Sequence, residues 1–115
     1  MKLWIDDVRP APKGYVWQKS VNEAKEFIKA REKRINSLRN SELLSSAHEK
    51  RLSIELIDID HDAGECTRFG GDYINLLNWL EETGRSYPIR IHSMNPVGVE
   101  NMRRIIERNG WTEVK

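Results

Sequence analysis

Three short apolar segments that each stop abruptly at polar residues constrain the fold of this chain most. The segments and the polar residues that follow them are, in chain order, residues 3–5 before Asp6-Asp7, residues 54–59 before Asp60-His61-Asp62, and residues 88–91 before His92-Ser93. Short apolar runs bounded in this way are typical of buried parallel strands. Residues 15–17 predict one more short strand, and residues 111–114 a last strand at the sheet edge.

Helical patterns separate the predicted strands. Ser20 and Glu23 have capping-box spacing, with Glu23 expected to reach back to Ser20, and the apolar stripe after them predicts an amphipathic helix to about residue 39. A second short helix through about residue 50 is predicted to complete an elaboration at residues 35–50, a candidate surface for a protein partner. Further helices are predicted from about residue 74 to Gly84 and from about Val97 to Gly110, whereas residues 63–71 have no periodicity and predict a loop.

Strands that alternate with helices predict an α/β fold with one parallel sheet and helices on both of its faces. The 115 residues are enough for one domain of this kind and too few for two. In such sheets the ligand site lies beyond the carboxyl ends of the strands. The three polar clusters are therefore expected to meet in one site.

Asp6, Asp7 and Asp60 are candidate metal ligands. Carboxylates placed close together repel one another unless a cation or a proton lies between them. Oxygen ligands favour a hard divalent cation such as Mg²⁺ or Mn²⁺. The alternative is that these acids only cap the turns that follow the strands.

Two of the three histidines, His61 and His92, also follow strand ends. Imidazole titrates near neutral pH and can act as general acid, general base or metal ligand, although each ring can instead serve a loop carbonyl. Ser93 and Asn95 precede the last predicted helix and are candidates to hold phosphate oxygens, with loop capping as the alternative. Arg9 can clamp a phosphate or pair with the neighbouring acids.

Composition narrows the setting of the protein. The formal net charge of +1 gives no general attraction to membranes or to duplex DNA. Cys66 is the single cysteine, so an internal disulfide is excluded and a reducing compartment is expected. No segment approaches the run of about 20 apolar residues that spans a membrane. A cytoplasmic location is the expectation.

The residues around the three strand ends resemble the cyclic-phosphate-processing receiver-like family, relatives of response-regulator receivers. The resemblance rests on residues 3–12, 59–64 and 89–98, in this order, and the His-Ser-x-Asn-Pro element from His92 to Pro96 is its most distinctive part. It implies a flavodoxin-like fold, a metal-binding pair at Asp6 and Asp7, and the receiver's phosphoacceptor position at Asp60. It also implies a substrate with a cyclic phosphate, either a small molecule or an RNA end.

The chain departs from an ordinary receiver in two places. Residues 8–14 are too short for the helix that joins a receiver's first two strands, and Lys115 is no secure counterpart of its conserved lysine. Phosphorylation of Asp60 is therefore the least favoured hypothesis. The leading hypothesis is a metal-assisted phosphoesterase in which Asp60, His61 and His92 are catalytic. The alternative is a non-catalytic module that binds a nucleotide or docks a partner.

Overall fold

The computed structural model describes residues 1–115 and contains one four-stranded parallel sheet with the strand order β2-β1-β3-β4. The strands are β1 (Lys2–Ile5), β2 (Tyr15–Gln18), β3 (Leu56–Ile59) and β4 (Ile89–Ile91). The predicted parallel sheet is confirmed. The predicted last strand is reduced to a single parallel bridge between Glu113 and Ile89, on the free side of β4.

Four α-helices accompany the sheet, close to the predicted positions. They are α1 (Val21–Asn40), α2 (Ser46–Leu52), α3 (Ile74–Glu82) and α4 (Pro96–Asn109). Ser20 caps α1 as predicted, because its hydroxyl accepts the backbone N–H of Glu23 at 3.1 Å. The Glu23 carboxylate, however, accepts the N–H of Lys19 rather than that of Ser20, so the expected reciprocal pair is shifted by one residue.

The predicted loop at residues 63–71 contains a 3₁₀ helix, Gly64–Phe69, so that prediction is wrong for six residues. Its first turn closes with a bond from the N–H of Cys66 to the carbonyl of Ala63 at 2.8 Å. A helix this short buries none of its own residues, and no apolar periodicity marks it in the sequence.

Helices α1, α3 and α4 lie on one face of the sheet, so the expectation of helices on both faces holds for one face only. The connections through α1 and α3 both run from left to right across the order β2-β1-β3-β4, and right-handed crossovers place such helices on the same side. The connection from β1 to β2 runs the other way and has no helix. Strand side chains on the opposite face are called the open face: Lys2, Trp4, Tyr15, Trp17, Leu56, Asp58 and Arg90.

The hydrophobic core fills the space between the sheet and the three helices. Leu3, Ile5, Ile57, Ile59 and Ile89 point from the strands into this layer and are fully buried. They pack against apolar residues of the helices, among them Ile28, Leu76, Leu77, Leu80, Met102 and Ile106. This single core holds the strands in register and thereby fixes the positions of the residues that follow them.

None of the helices is both long and apolar enough to cross a membrane.

Candidate active site at the carboxyl edge of the sheet

The register of the sheet brings the predicted strand-end residues together. Ile5 pairs with Ile59, and Ile59 pairs with Ile91, so the residues that follow each strand are neighbours. The ladder continues one step further, because the N–H of Asp60 donates to Ile5 and that of His92 donates to Ile59. Side-chain ligand atoms of Asp6, Asp60 and His92 consequently lie within 4.8 Å of one another.

Asp6 is the most heavily bonded of these residues and is 1% exposed. Its Oδ1 accepts the backbone N–H groups of Val8 and Arg9 at 2.9 and 2.8 Å, which fixes the turn after β1. Its Oδ2 lies 2.9 Å from Nε2 of His92, and its carbonyl accepts the indole N–H of Trp17 at 2.7 Å. Asp6 therefore caps its turn, as the alternative interpretation required, and also belongs to the site.

His92 lies between two buried carboxylates. Its Nδ1 is 2.6 Å from Oδ1 of Asp58, opposite the Nε2 contact to Asp6. Asp58 is 1% exposed, and its other oxygen faces the guanidinium of Arg90 at 3.7 Å. Asp58 was not among the predicted site residues. A lone acid inside an apolar strand was its only signal, and the pairing of β3 with β4 was needed to connect it with His92.

Two opposing effects set the pKa of His92. Burial is the largest single effect and lowers the pKa, whereas the hydrogen bonds and charges of Asp58 and Asp6 raise it. Together the two carboxylates prevail, and the pKa of His92 lies above its usual value. This environment favours the imidazolium form, which can donate a proton through either ring nitrogen.

Trp4 covers one face of His92. The two rings are parallel within 5°, with centroids 3.8 Å apart. The indole N–H of Trp4 donates to the carbonyl of Arg9 at 2.8 Å, which ties the ring to the turn after β1. A flat contact between an indole and an imidazolium combines stacking with cation–π attraction. Trp4 therefore fixes the plane of the His92 ring.

His61 belongs to a second group of side chains at the same edge. Its Nδ1 lies 2.9 Å from Oδ1 of Asp62, and ligand atoms of His61, Asp62 and Asp72 lie within 4.8 Å of one another. Asn95 donates its amide to both oxygens of Asp62 at 3.3 and 3.4 Å. Asp62 is thus held from two sides and orients the His61 ring. The two predicted catalytic histidines lie in different groups, each with a carboxylate partner.

The start of α4 fits closely against His61. A Cβ atom placed on Gly98 would lie 2.5 Å from Cγ of His61 and 2.8 Å from its Nδ1. Asn95 caps the same helix, because its Oδ1 accepts the N–H of Gly98 at 3.0 Å. Glycine at residue 98 is what allows the imidazole to lie against the helix backbone.

The remaining predicted residues lie around this edge without joining either group. The carboxylate of Asp7 lies beside Gly64, where Oδ2 would be 2.3 Å from an added Cβ. The Ser93 hydroxyl accepts the N–H of Asn95 at 3.2 Å, which leaves its own proton free to donate. Arg9 is exposed, and its backbone rather than its guanidinium contacts Asp6 and Trp4.

Tyr73 is a buried residue close to the acids of the site. Its ring is fully buried, and its hydroxyl donates to the carbonyl of Lys19 at 2.7 Å. The pKa of the Tyr73 hydroxyl lies far above its usual value, mainly because the group is buried. Nearby negative charges add to the effect, those of Asp7, Cys66, Asp6 and Asp60. The hydroxyl therefore stays protonated and acts as a structural donor.

The rim of the site is apolar. Val8, Phe69, Met94 and Val97 are among the most exposed large hydrophobic side chains of the chain, and all four lie in segments that follow β1, β3 or β4. Exposed apolar side chains gathered at one edge are typical of a surface that contacts a ligand. A polar, charged centre with an apolar rim suits a ligand that carries both an anionic and an apolar part.

Comparison with known families gives a match over most of the chain. The profile of the cyclic-phosphate processing receiver domain family matches residues 1–108. The chain belongs to this family. The expected receiver-like fold is thereby confirmed. Membership of the family also connects the protein with the processing of cyclic phosphates. No curated protein and no solved structure matches the chain.

Proposed function

We propose that this receiver domain is a phosphoesterase that opens a cyclic phosphate by hydrolysis, on a cyclic nucleotide or an RNA end. The observation that carries the proposal is the placement of two histidines, each bonded to a carboxylate, at one edge of the sheet. A water oxygen attacks phosphorus, one P–O bond of the ring breaks, and the released oxygen takes up a proton.

The two histidines are suited to opposite proton transfers. Asp58 and Asp6 raise the pKa of His92 and so favour its protonated form, which suits it as the donor to the leaving oxygen. His61 is oriented through Nδ1 by Asp62, which leaves Nε2 to accept the proton of the attacking water. The free Ser93 proton and the Arg9 guanidinium are available to the phosphate oxygens.

Asp6 and Asp60 have carboxylate oxygens close enough to each other to hold one divalent cation beside His92. Such an ion would polarise a phosphate oxygen and lower the pKa of a bound water. Two carboxylates completed by water suit Mg²⁺ or Mn²⁺, and His92, as the proton donor, stays outside the ligand set. Asp7, which the sequence placed among the ligands, lies beside Gly64 and outside this group.

A binding module without chemistry is the second candidate. Both ring nitrogens of His92 are already bonded to carboxylates, which is also the arrangement of a histidine with a purely structural role. In that case the apolar rim would hold a nucleotide, or the segment at residues 35–50, where Leu43 is 74% exposed, would dock a protein.

One experiment separates the two candidates. Purified protein is incubated with Mn²⁺ or Mg²⁺ and a panel of 2′,3′-cyclic and 3′,5′-cyclic nucleotides and cyclic-ended RNA, and products are read by mass spectrometry. His61→Ala and His92→Ala are run beside it, with His48→Ala as a matched control far from the strand ends. Hydrolysis that is lost in the first two variants and kept in the third supports the phosphoesterase. Binding without product supports the module.

A further inference from the structure

The open face of the sheet carries a band of aromatic rings with no helix above them. Trp4 and Trp17 are partners in the register of β1 and β2, and Tyr15 meets Trp4 edge to face at 5.8 Å and 81°. All three are half-buried. The indole N–H groups are bonded to the carbonyls of Arg9 and Asp6, so neither indole donor is left for solvent.

Positive side chains surround this band. The ammonium of Lys2 lies 5.6 Å from the centroid of Tyr15, and that of Lys19 lies 4.6 Å from the centroid of Trp17. Arg90 is half-exposed on β4, which β3 separates from the strands of the band. The acid on this face, Asp58, is buried between His92 and Arg90, so it presents little charge to solvent.

The band leads directly into the candidate site. Trp4 meets Tyr15 edge to face and stacks flat against His92, so one run of rings joins β2 to the proton donor. Rigid aromatic rings with cations beside them are the recurring elements of single-strand nucleic-acid surfaces, where bases stack and phosphates meet the charges. Duplexes do not offer their base faces in this way.

We propose that the open face binds single-stranded RNA and directs its cyclic-phosphate end to His92. The inference rests on the proposed function for the terminal phosphate and deepens it by selecting RNA ends over free cyclic nucleotides. The bases behind the end stack on Tyr15 and Trp17, and the phosphates between them contact Lys2, Lys19 and Arg90. Segregated charge on one face supplies the attraction that the net charge of +1 does not.

Binding of a labelled RNA tests the proposal without depending on turnover. A 5′-fluorescein uridine hexamer with a 2′,3′-cyclic phosphate is titrated with the protein in chelator, and anisotropy gives the Kd. Unlabelled uridine 2′,3′-cyclic phosphate competes as the mononucleotide. We expect the hexamer to bind at least tenfold more tightly, and Tyr15→Ala to weaken its binding about tenfold because a base loses its stacking partner.

Paired charge reversals provide the matched control. The variant Lys2→Glu with Lys19→Glu alters the open face, and Lys29→Glu with Lys33→Glu makes the same charge change on α1. We expect only the Lys2 and Lys19 reversal to weaken binding. The plot of log K against log salt should then be less steep by about 1.4, because two phosphate contacts are lost. These lysines are exposed, so the fold is kept, which circular dichroism verifies for all variants including Tyr15→Ala.

The outcomes separate this inference from the phosphoesterase itself. Tight hexamer binding through the open face with no hydrolysis would support the inference and remove the enzyme. Hydrolysis of cyclic mononucleotides together with no preference for the hexamer would keep the enzyme and overturn the inference. Equal loss in both lysine pairs would also overturn it, because the attraction would then be general. Absence of RNA binding would leave the open face to a protein partner.

Discussion

Nδ1 of His92 lies 2.6 Å from Oδ1 of Asp58, although 34 positions separate the two residues in the chain. The contact exists because β3 and β4 are parallel neighbours and both side chains stand on the open face. It makes a buried acid inside an apolar strand part of the candidate site, and it controls the charge of the ring that we assign as proton donor.

Replacing Asp58 by Asn is expected to destabilise the protein and to impair the donor. The neutral amide no longer balances the buried imidazolium, and breaking a buried pair costs about 3 kcal/mol. We expect urea denaturation to show this loss and NMR to show a lower pKa for His92. Arg90→Gln is the control, since its guanidinium is half-exposed and 3.7 Å from Asp58, and it should cost less than about 1 kcal/mol.

Stability in metal-free buffer should depend on pH through His92. Because the folded pKa is raised above the unfolded value of about 6.5, the stabilisation is fully present below that value. As the pH rises from that value through the folded pKa, the unfolded state loses its proton before the folded state does, and the stabilisation is lost. Urea midpoints measured between acid-neutral and alkaline pH should therefore decline in wild type. A His92→Gln variant whose decline matched wild type would contradict this assignment.

Adding a methyl group at Gly98 is expected to damage catalysis more than folding. The new Cβ would overlap the His61 ring, while alanine favours the helix over glycine by up to about 1 kcal/mol. We expect Gly98→Ala to change the free energy of unfolding little and to lower kcat about 100-fold, the scale of an ångström-sized misplacement. NMR shifts of the His61 ring report the displacement directly. Glu100→Ala, at an exposed position of the same helix, should leave kcat unchanged.

The flat contact of Trp4 with His92 gives a graded test. Trp4→Phe keeps an aromatic face against the imidazole and loses the bond to the Arg9 carbonyl, whereas Trp4→Leu loses both. We expect the pKa of His92 to fall further in the leucine variant, because the cation–π contribution to the imidazolium is gone. NMR titration of His92 measures the order, and equal values in the two variants would show that the stacking has no electrostatic effect.

The sheet and the meeting of Asp6, Asp60 and His92 were predictable because parallel strands deliver their carboxyl ends to one edge whatever their order. The partner of each histidine was not. Asp62 follows His61 in the chain, yet its role depends on Asn95 at the start of α4, and Asp58 reaches His92 only through strand pairing. The open face was not predicted for a related reason. Trp4, Tyr15 and Trp17 have the pattern of ordinary strand residues. Only the strand order shows that the helices lie on one face and leave these side chains uncovered.

Asp6 joins the turn after β1, the Trp17 indole of β2 and the His92 ring that follows β4 through one side chain and one carbonyl. Replacing Asp6 is therefore expected to disturb the fold and the candidate site together. Relatives that keep the fold but lack the proposed activity are therefore expected to differ first at His61 or Asp60, because loss of either residue leaves the hydrogen bonds of Asp6 intact. A relative with another residue in place of Asp6 is expected to carry compensating changes in the turn after β1, in β2 and just after β4.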